Sequence, residues 1–246
     1  MHRFFAPALE PGDDRVLLPR DEGEHLTRVL RLGPGETVAV FDGRGHEFLA
    51  RVVSVERREV RVQVLAPVEP VREPAVALTL AQAVLKADKM DDIVRDAVML
   101  GVAVIQPIVT TRTELTVAAL ARGGRGDRWK RVALASVKQS RRAVMPEIRG
   151  ALTFENWLDE PRTAETMMLV EPGLTLDVES LSDAPRRVAP ADATVVIGPE
   201  GGWTAEECGR ARARGIQLVR LGHRTLRADA VPVAAISVLQ FLWGDL

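Results

Sequence analysis

The sequence contains no tyrosine, a single cysteine and far fewer lysines than arginines. The absence of tyrosine removes one common acid–base and stacking residue, and a lone cysteine, Cys208, excludes an internal disulfide framework. No apolar run approaches the ~20 residues that a membrane-spanning helix requires. The first residues also lack the layout of a secretory signal peptide. These absences predict a cytoplasmic protein.

Net charge is nearly absent as well. The 246 residues carry a formal charge of −1, which excludes a polycationic chain. Basic residues are nevertheless concentrated in two segments: residues 112–149 hold ten Arg or Lys against three acids, and residues 210–227 hold six arginines and no acid. Two such segments favour a polyanionic partner bound at specific faces, although each fits a solvated helix face equally well.

Residues 1–70 are predicted to form β structure. Residues 36–65 alternate apolar and polar side chains around a turn at Asp42 and Gly43, which is typical of antiparallel strands. Residues 22–31 have the composition of one short helix that a Gly-Pro-Gly triplet ends. A compact barrel accounts for this segment. Its boundary with the rest of the chain falls at three prolines: Pro67, Pro70 and Pro74.

Beyond this boundary, predicted strands alternate with predicted helices. The strands cover residues 76–84, 102–109, 166–173, 193–197 and 216–221. The helices cover residues 88–100, 127–140 and 204–214, and a last one has Pro232 in its first turn. This alternation predicts an α/β domain with a mainly parallel sheet.

The stretch VVIGPEGGWTAEE, residues 195–207, places a glycine-rich turn between a strand and a helix, an arrangement that often binds phosphate. It matches neither phosphate-binding fingerprint; Glu200 would repel a phosphate, and Pro199 lacks an amide donor. The glycines still admit a ligand close to the backbone, so an adenosine-like ligand that carries a positive charge fits better. Thr204 and Glu207 form a capping box that starts the helix without any ligand, so a purely structural turn is the alternative.

A second, consecutive strand also ends in a glycine loop. The strand at 216–221 is followed by Gly222 and by two arginines, Arg224 and Arg227, on either side of Leu226. Two such loops predict a ligand cleft at the carboxyl ends of the strands.

The last helix is apolar nearly all round its circumference. Such a helix must be buried on more than one side. A self-association interface and a central position in the core both satisfy that requirement.

The segments IGPEGGWTAEE and LGHRTLRADA, in this order, carry a specific resemblance. They are similar to the SPOUT-class methyltransferases, in particular to the 16S rRNA uridine-N3 methyltransferase family. HRFF and HLTRVLRLGPGE are similar to that family's amino-terminal PUA-like barrel. AQAVLKADKMDDIVRDAVMLGVAVIQPIVTTRT is similar to its first catalytic segment, and RWKRVALASVKQSRRAVMPEI to its basic helix. The resemblance covers essentially the whole chain.

The resemblance implies an α/β fold in two parts. Residues 1–70 would form a PUA-like β-barrel that positions RNA, and residues 74–246 a SPOUT methyltransferase domain with a parallel sheet and a carboxyl-terminal trefoil knot. The implied cofactor is S-adenosylmethionine, and the implied partners are a second copy of the chain and 16S rRNA within the assembled or assembling small ribosomal subunit. The cofactor-binding residues that carry over are Leu169, Gly198, Pro199, Glu200, Gly201, Gly202, Leu221, Gly222, Arg224, Leu226 and Arg227.

The sequence departs from the family pattern at several positions. Met99 stands where an acidic residue is usual, and Ala228 and Ala230 replace hydroxyl residues. Asp229 replaces a glutamate, and His223 stands where a proline is more usual. These departures leave a second function open, that of an RNA-binding or ribosome-assembly protein that binds the cofactor with altered or lost turnover. A different α/β enzyme, such as a nucleotide-binding transferase, is a third hypothesis, which the missing phosphate fingerprints disfavour.

Methyl transfer to N3 of uridine requires positioning and a way to stabilise the anion left when N3 loses its proton. Arginine donors suit the charge that spreads onto O2 and O4 of the base, and the candidates are Arg142, Arg224 and Arg227. Gln139 would orient the base, and Asp229 would accept the proton or hold an arginine. The residues expected to contact the RNA backbone are Arg3, Arg28, Arg128, Lys130, Arg131, Lys138 and Arg141.

No metal site is expected. The four histidines, His2, His25, His46 and His223, are scattered along the chain, and Cys208 has no partner at the spacing of metal ligands.

Overall fold

The computed structural model describes residues 1–56, 59–162, 164–173, 178–181 and 189–246. The chain divides into two compact units. Unit 1 consists of Met1–Glu73 together with Leu134–Met145, and unit 2 consists of Pro74–Ala133 together with Pro146–Leu246. The linear division predicted from the sequence therefore omits one feature, because a segment from the middle of the chain belongs to unit 1.

Unit 1 is built on a single sheet. Its elements are β1 (Arg3–Phe5), β2 (Arg15–Leu17), α1 (Arg20–Glu24), β3 (Thr37–Phe41), β4 (Glu47–Glu56) and β5 (Glu59–Val68). The five strands run in the order β1-β3-β4-β5-β2, with β1 parallel to β3 and the other neighbours antiparallel. The antiparallel strands predicted here are confirmed; residues 57 and 58, between β4 and β5, lie outside the described residues. The buried apolar cluster of the unit includes Phe4, Leu26 and Val38.

The helix predicted for residues 22–31 is divided in two. Helix α1 ends at Glu24, and a π-helical turn covers His25–Val29. The Leu30 N–H donates to the carbonyl of His25 at 3.1 Å, five residues back, which is the π-helical spacing. Arg31, rather than a glycine, adopts the left-handed backbone conformation at its end, with φ 56°.

Arg3 joins Leu134–Met145 to the sheet of unit 1. Its guanidinium forms an ion pair with Glu47 at 2.8 Å, and both side chains are at most 9% exposed. It also donates to the carbonyl oxygens of Val137 and Lys138 at 3.1 Å and of Arg142 at 2.9 Å. The sequence alone could not separate this internal arginine from a surface one.

Unit 2 contains eight strands and most of the helical residues. The strands are β6 (Ala77–Ala83), β7 (Val104–Val109), β8 (Glu147–Ile148), β9 (Leu152–Thr153), β10 (Glu165–Leu169), β11 (Glu179–Ser180), β12 (Asp192–Ile197) and β13 (Gln217–Arg220). The helices are α2 (Lys89–Met99), α3 (Val117–Arg122), α4 (Arg125–Ser140), α5 (Phe154–Asp159), α6 (Ala205–Ala213) and α7 (Val231–Trp243), and α4 continues into unit 1 from Leu134 on. Every strand and helix predicted for this region is present; the short elements α3, α5, β8, β9 and β11 were not predicted.

All pairings of the eight-stranded sheet are parallel among the described residues. The strand order is β11-β13-β10-β12-β6-β7-β8, and β9 also pairs with β7. The inner strands are buried on both faces, which explains their nearly continuous apolar sequences. The parallel sheet predicted from the alternation is confirmed, whereas the trefoil knot stays a prediction because strand order does not establish threading.

Helix α7 buries only one of its sides. Its buried residues are Pro232, Ala235, Ile236, Leu239 and Gln240. Gln240 donates to the carbonyl of Leu100, just beyond α2, at 3.0 Å. Phe241, by contrast, is 70% exposed, so this helix is not buried on all sides within a single copy of the chain. No helix in the described ranges is long and apolar enough to cross a membrane.

Candidate functional site

A cavity of about 550 Å³ lies in unit 2, at the edge of the sheet where β10, β12 and β13 end. Its walls come from the three loops that follow these strands. The expected cofactor-binding residues that line it are Leu169, Gly198, Pro199, Glu200, Gly201, Gly202, Leu221, Arg224 and Leu226, whereas Gly222 and Arg227 do not. A cavity is therefore present where the sequence predicts a cleft, and the binding of a cofactor by these residues stays a prediction.

The loop after β12 turns sharply at Gly202. The Gly202 N–H donates to the carbonyl of Pro199 at 2.9 Å, and Gly202 has φ +67°, in the left-handed region that favours glycine. A Cβ at this position would also lie 2.8 Å from the carboxyl carbon of Glu171. A glycine at 202 suits both this backbone conformation and the nearby carboxylate of Glu171.

Trp203 ties this loop to the end of β10. Its indole N–H, which is buried, donates to the carbonyl of Leu169 at 2.8 Å. The ring also lies against Gly198, where a Cβ would come 2.8 Å from the indole nitrogen. Gly198 is therefore required by the packing of Trp203 and not only by a ligand.

The loop after β7 holds the same segment from another side. The capping box predicted for α6 is confirmed, with Thr204 and Glu207 bonded reciprocally. The second carboxylate oxygen of Glu207 accepts the N–H of Thr111 at 2.9 Å. Arg112 donates to the carbonyl of Gly201 and also lines the cavity. Glu207 is 2% exposed, so this buried carboxylate joins two loops as well as capping a helix.

Glu200, the acid within the glycine loop, already has a cationic partner in the chain. Lys89 donates to its Oε1 at 2.9 Å and the Lys86 N–H donates to the same atom at 3.2 Å. Partial burial opposes ionisation, but the hydrogen bonds from Lys89 and from backbone N–H groups outweigh it, and the pKa of the Glu200 carboxyl is lowered. The positive charge of a ligand, expected from the sequence to meet this acid, would have to compete with Lys89.

The loop after β13 contributes Leu221, Arg224 and Leu226 to the cavity. Arg227 instead holds Asp229, donating from Nε at 3.2 Å and from a terminal nitrogen at 3.0 Å. The hydrogen bond from Arg227 lowers the pKa of the Asp229 carboxyl, which makes it a weaker base at neutral pH. Of the two roles expected for Asp229, the hydrogen bonds from Arg227 therefore support that of holding an arginine.

Two other expected catalytic residues belong to unit 1. Arg142 is 5% exposed and forms an ion pair with Glu73 at 2.6 Å, and Gln139 is an exposed residue of α4. The described residues that line the cavity all belong to unit 2. The catalytic roles of Arg142 and Gln139 stay predictions.

The residues expected to contact RNA fall into two groups. Arg28, Arg128, Lys130, Arg131 and Arg141 are exposed, although Arg128 also pairs with Asp91. Arg3 and Lys138 are internal: Arg3 has the partners described above, and the Lys138 ammonium lies 2.8 Å from a Glu22 oxygen. Their donors already have partners within unit 1, and a contact of either residue with RNA stays a prediction.

Within the described ranges, no group of three or more His, Cys, Asp or Glu side chains could hold a metal ion. Cys208 is buried, and this burial, ahead of the nearby charges of Glu171 and Glu207, raises the pKa of its thiol to about 11. The thiol therefore stays protonated at neutral pH.

Sequence reasoning did not identify Arg112, Glu171 or Trp203 as residues of the site, yet all three line the cavity. Glu171 lies two residues beyond the end of β10 and Trp203 six residues beyond the end of β12, and the sequence predicts both strands. The rule that ligands bind beyond the carboxyl ends of parallel strands could have included them. Arg112 reaches Gly201 across 89 residues of sequence, and no local pattern indicates that contact.

Comparison with known proteins places the chain among enzymes. The family described as "RNA methyltransferase domain" matches residues 72–240, and the family described as "RNA methyltransferase PUA domain" matches residues 18–65. The chain belongs to the RNA methyltransferase family. The ribosomal RNA small subunit methyltransferase E of Synechocystis is 31% identical over 233 residues, which cover 92% of this chain and 73% of that protein. Its Mycobacterium bovis counterpart is 30% identical, covering 98% of this chain and 92% of that protein.

A solved structure extends the similarity to the whole fold. The crystal structure of the ribosomal RNA small subunit methyltransferase E of Neisseria gonorrhoeae, bound to S-adenosyl methionine, has a TM-score of 0.89 and 30% identity and covers 100% of this chain and 99% of that one. The family predicted from the two loop motifs is thus confirmed, and so is a PUA-like domain near the amino terminus.

Proposed function

We propose that this RNA methyltransferase uses S-adenosylmethionine to methylate N3 of a uridine in 16S ribosomal RNA. The observation that carries the proposal is the cavity of about 550 Å³, because the two loops that bear the family's motifs form much of its wall. The similarity over the whole chain to a structure bound to S-adenosyl methionine supports the choice of cofactor. S-adenosylmethionine supplies an electrophilic methyl group when it is bound.

The lining of the cavity fits this cofactor better than a phosphorylated one. Pro199 has no N–H to offer, and the Gly202 N–H is already used by the carbonyl of Pro199. Among the described residues the lining includes no lysine, and its cations are the arginines Arg112 and Arg224. A phosphate would find no backbone donor at Pro199 or Gly202, whereas a nucleoside can lie against residues 198–202, Leu221 and Leu226.

Arg224 is our primary candidate for stabilising the negative charge that develops on the base. It lines the cavity, and a guanidinium can donate to a uracil oxygen as the N3 proton leaves. Arg227 and Asp229 would hold the loop that carries Arg224. Arg142 and Gln139 stay in the proposal as weaker candidates, because the guanidinium of Arg142 already donates to Glu73.

Unit 1 and the exposed part of the basic segments are proposed to hold the RNA. Lys130, Arg131 and Arg141 have exposed side chains, and phosphate contacts of this kind position a nucleic acid without reading its sequence. We propose a substrate within the assembled or assembling small ribosomal subunit, in the cytoplasm.

A homodimer is part of the proposal as well. Helix α7 is apolar on the side that the chain leaves open, with Phe241 70% and Val233 36% exposed. An exposed apolar helix face is stabilised when a second copy covers it.

A second candidate function is an RNA-binding or ribosome-assembly protein with altered or lost turnover. Ala228, one of the residues that depart from the family pattern, lines the cavity. A missing hydroxyl at that wall is the specific observation that favours this alternative.

Methyl incorporation separates the two. Small ribosomal subunits that lack the modification are incubated with the protein and S-adenosylmethionine labelled in the methyl group, and the rRNA is digested and examined for N3-methyluridine by mass spectrometry. We expect labelled N3-methyluridine in 16S rRNA. Cofactor binding without incorporation would support the assembly protein, and a methyl group on another atom would overturn the assignment of the target.

A further inference from the structure

Among the described residues two carboxylates line the cavity, and they are in different electrostatic situations. Glu200 is neutralised by Lys89 at 2.9 Å. Glu171, two residues beyond the end of β10, forms no ion pair or hydrogen bond with any other described residue. It is half-buried, so its charge is partly removed from water without a compensating cation from any described residue.

Glu171 lies against the loop after β12. Its carboxylate lies directly against the backbone of Gly202, where a Cβ would come 2.8 Å from the carboxyl carbon. Gly202 itself is held by its hydrogen bond to Pro199 and by φ +67°. The carboxylate therefore lies at the cavity wall that Gly201 and Gly202 form. At this wall the lack of side chains lets a ligand come close to the backbone.

From this arrangement we infer that Glu171 is the specificity residue that recognises the positive charge of the cofactor. A half-buried carboxylate without a partner is stabilised by a cationic ligand more than by a neutral one. The two cations among the lining residues, Arg112 and Arg224, form no ion pair with it among the described residues. The charge of Glu200, by contrast, is already compensated by Lys89.

This inference rests on the proposed function, because it names the group that reads the proposed cofactor. S-adenosylmethionine has two positive centres, a sulfonium and an ammonium. S-adenosylhomocysteine, the product, keeps only the ammonium, and 5′-methylthioadenosine has neither. Recognition of the sulfonium would favour the cofactor over the product.

The test measures binding and not turnover. Titration calorimetry gives the dissociation constants of the three ligands for the wild type and for Glu171→Gln, which keeps the shape of the side chain and removes its charge. We expect Glu171→Gln to weaken the binding of S-adenosylmethionine about tenfold, the scale of one charge-assisted contact. The binding of 5′-methylthioadenosine should weaken by less than about twofold. A loss for S-adenosylmethionine alone assigns the contact to the sulfonium, and a loss shared with S-adenosylhomocysteine assigns it to the ammonium. Either result supports the inference.

The matched control is Glu206→Gln. Glu206 is an exposed acid in the first turn of α6 and does not line the cavity. Its substitution therefore removes the same charge from outside the site. An equal loss for all three ligands in Glu171→Gln, unchanged binding, or an equal effect of Glu206→Gln would each overturn the inference. Failure of the wild type to bind S-adenosylmethionine would instead overturn the proposed function. Thermal unfolding of each variant confirms that it is folded.

Discussion

The loops after β12 and β13 form walls of the same cavity but are held in different ways. The first is fixed from three sides, by Trp203 to the end of β10, by Arg112 from the loop after β7, and by Lys89 at the start of α2. In the second, residues 222–227 are all exposed. Within the part of the chain that the structure describes, its side-chain hydrogen bonds run only between Arg227 and Asp229.

This difference indicates that the fold itself sets the conformation of the first loop, whereas a bound molecule must order the second. The first loop has its geometry before any ligand arrives, which lowers the entropic cost of binding. The second loop offers Arg224 and Leu226 on a segment with few contacts, and regions of low contact density are the ones that open and rearrange most easily. We therefore expect substitutions in the first loop to act on cofactor binding and those in the second to act on the chemical step.

The largest effect is expected at Gly202. Gly202→Val forces a branched residue into the left-handed region and drives its Cβ into the Glu171 carboxylate. We expect the affinity for S-adenosylmethionine, measured by calorimetry, to fall more than about 100-fold. Gly209→Ala in α6 is the control, because a Cβ there meets nothing within 4 Å and alanine favours a helix. A folded Gly202→Val variant that binds as well as Gly209→Ala would show that this loop is not the cofactor wall.

The second largest effect is expected at Arg224. Arg224→Ala should slow single-turnover methylation by roughly 100-fold at saturating cofactor and RNA, the usual scale for the loss of one preorganised donor. Arg227→Ala, which removes a residue outside the cavity lining, should slow it by less than about fivefold. Equal rates for the two variants would contradict a catalytic role for Arg224. A large change in cofactor affinity instead of rate would show that the second loop, like the first, acts on cofactor binding.

The first loop is also the part of the site that the sequence predicts best. Glycine spacing, the strand before it and the capping box at Thr204 and Glu207 are all local features, so the course of the chain from 195 to 207 follows from nearby residues. The parallel sheet could be predicted for the same reason, since each strand is an apolar run of its own.

Contacts between distant segments could not be predicted. Charge alone does not tell that Arg3 and Lys138 face internal carboxylates whereas Lys130 and Arg131 face solvent. Nor does it show that Glu200 is neutralised by Lys89, 111 residues away in sequence, while Glu171 has no such partner in the described part of the chain. The roles of these residues depend on which strands become neighbours, and that order is a property of the fold and not of any one segment.

A smaller effect is expected from the hydrogen bond of Trp203. Trp203→Phe keeps the ring packed against Gly198 but leaves the buried carbonyl of Leu169 without its donor, which should lower the free energy of unfolding by about 1–3 kcal/mol. Denaturant unfolding measures this. Trp243→Phe is the matched control, because the Trp243 indole N–H is buried without a hydrogen-bond partner among the described residues. Trp243→Phe should lower the free energy of unfolding by less than Trp203→Phe does. The reverse order would contradict the role given to the Trp203 donor.

The smallest effects are expected from the ion pairs of the two loops, where pH supplies the test. The pKa values of Glu200 and Asp229 are both lowered in the folded protein. Each pair therefore adds stability that is present above the carboxyl's unfolded pKa, near ~4, and is lost as pH falls through the lower folded value.

Glu200 and Lys89 are 27% and 32% exposed, whereas Arg227 is 79% exposed and screened by solvent. At pH 7 we expect Glu200→Gln to lower the free energy of unfolding by about 0.5–1 kcal/mol and Asp229→Asn by less than about 0.5 kcal/mol. Denaturant unfolding at pH 7 and again near pH 3 checks both the order and the sign, because the deficit of each variant relative to the wild type should shrink as the wild-type carboxylate takes up its proton. A deficit that grows on acidification, or a larger one for Asp229→Asn, would mean that the second loop is held more firmly than its exposed contacts indicate.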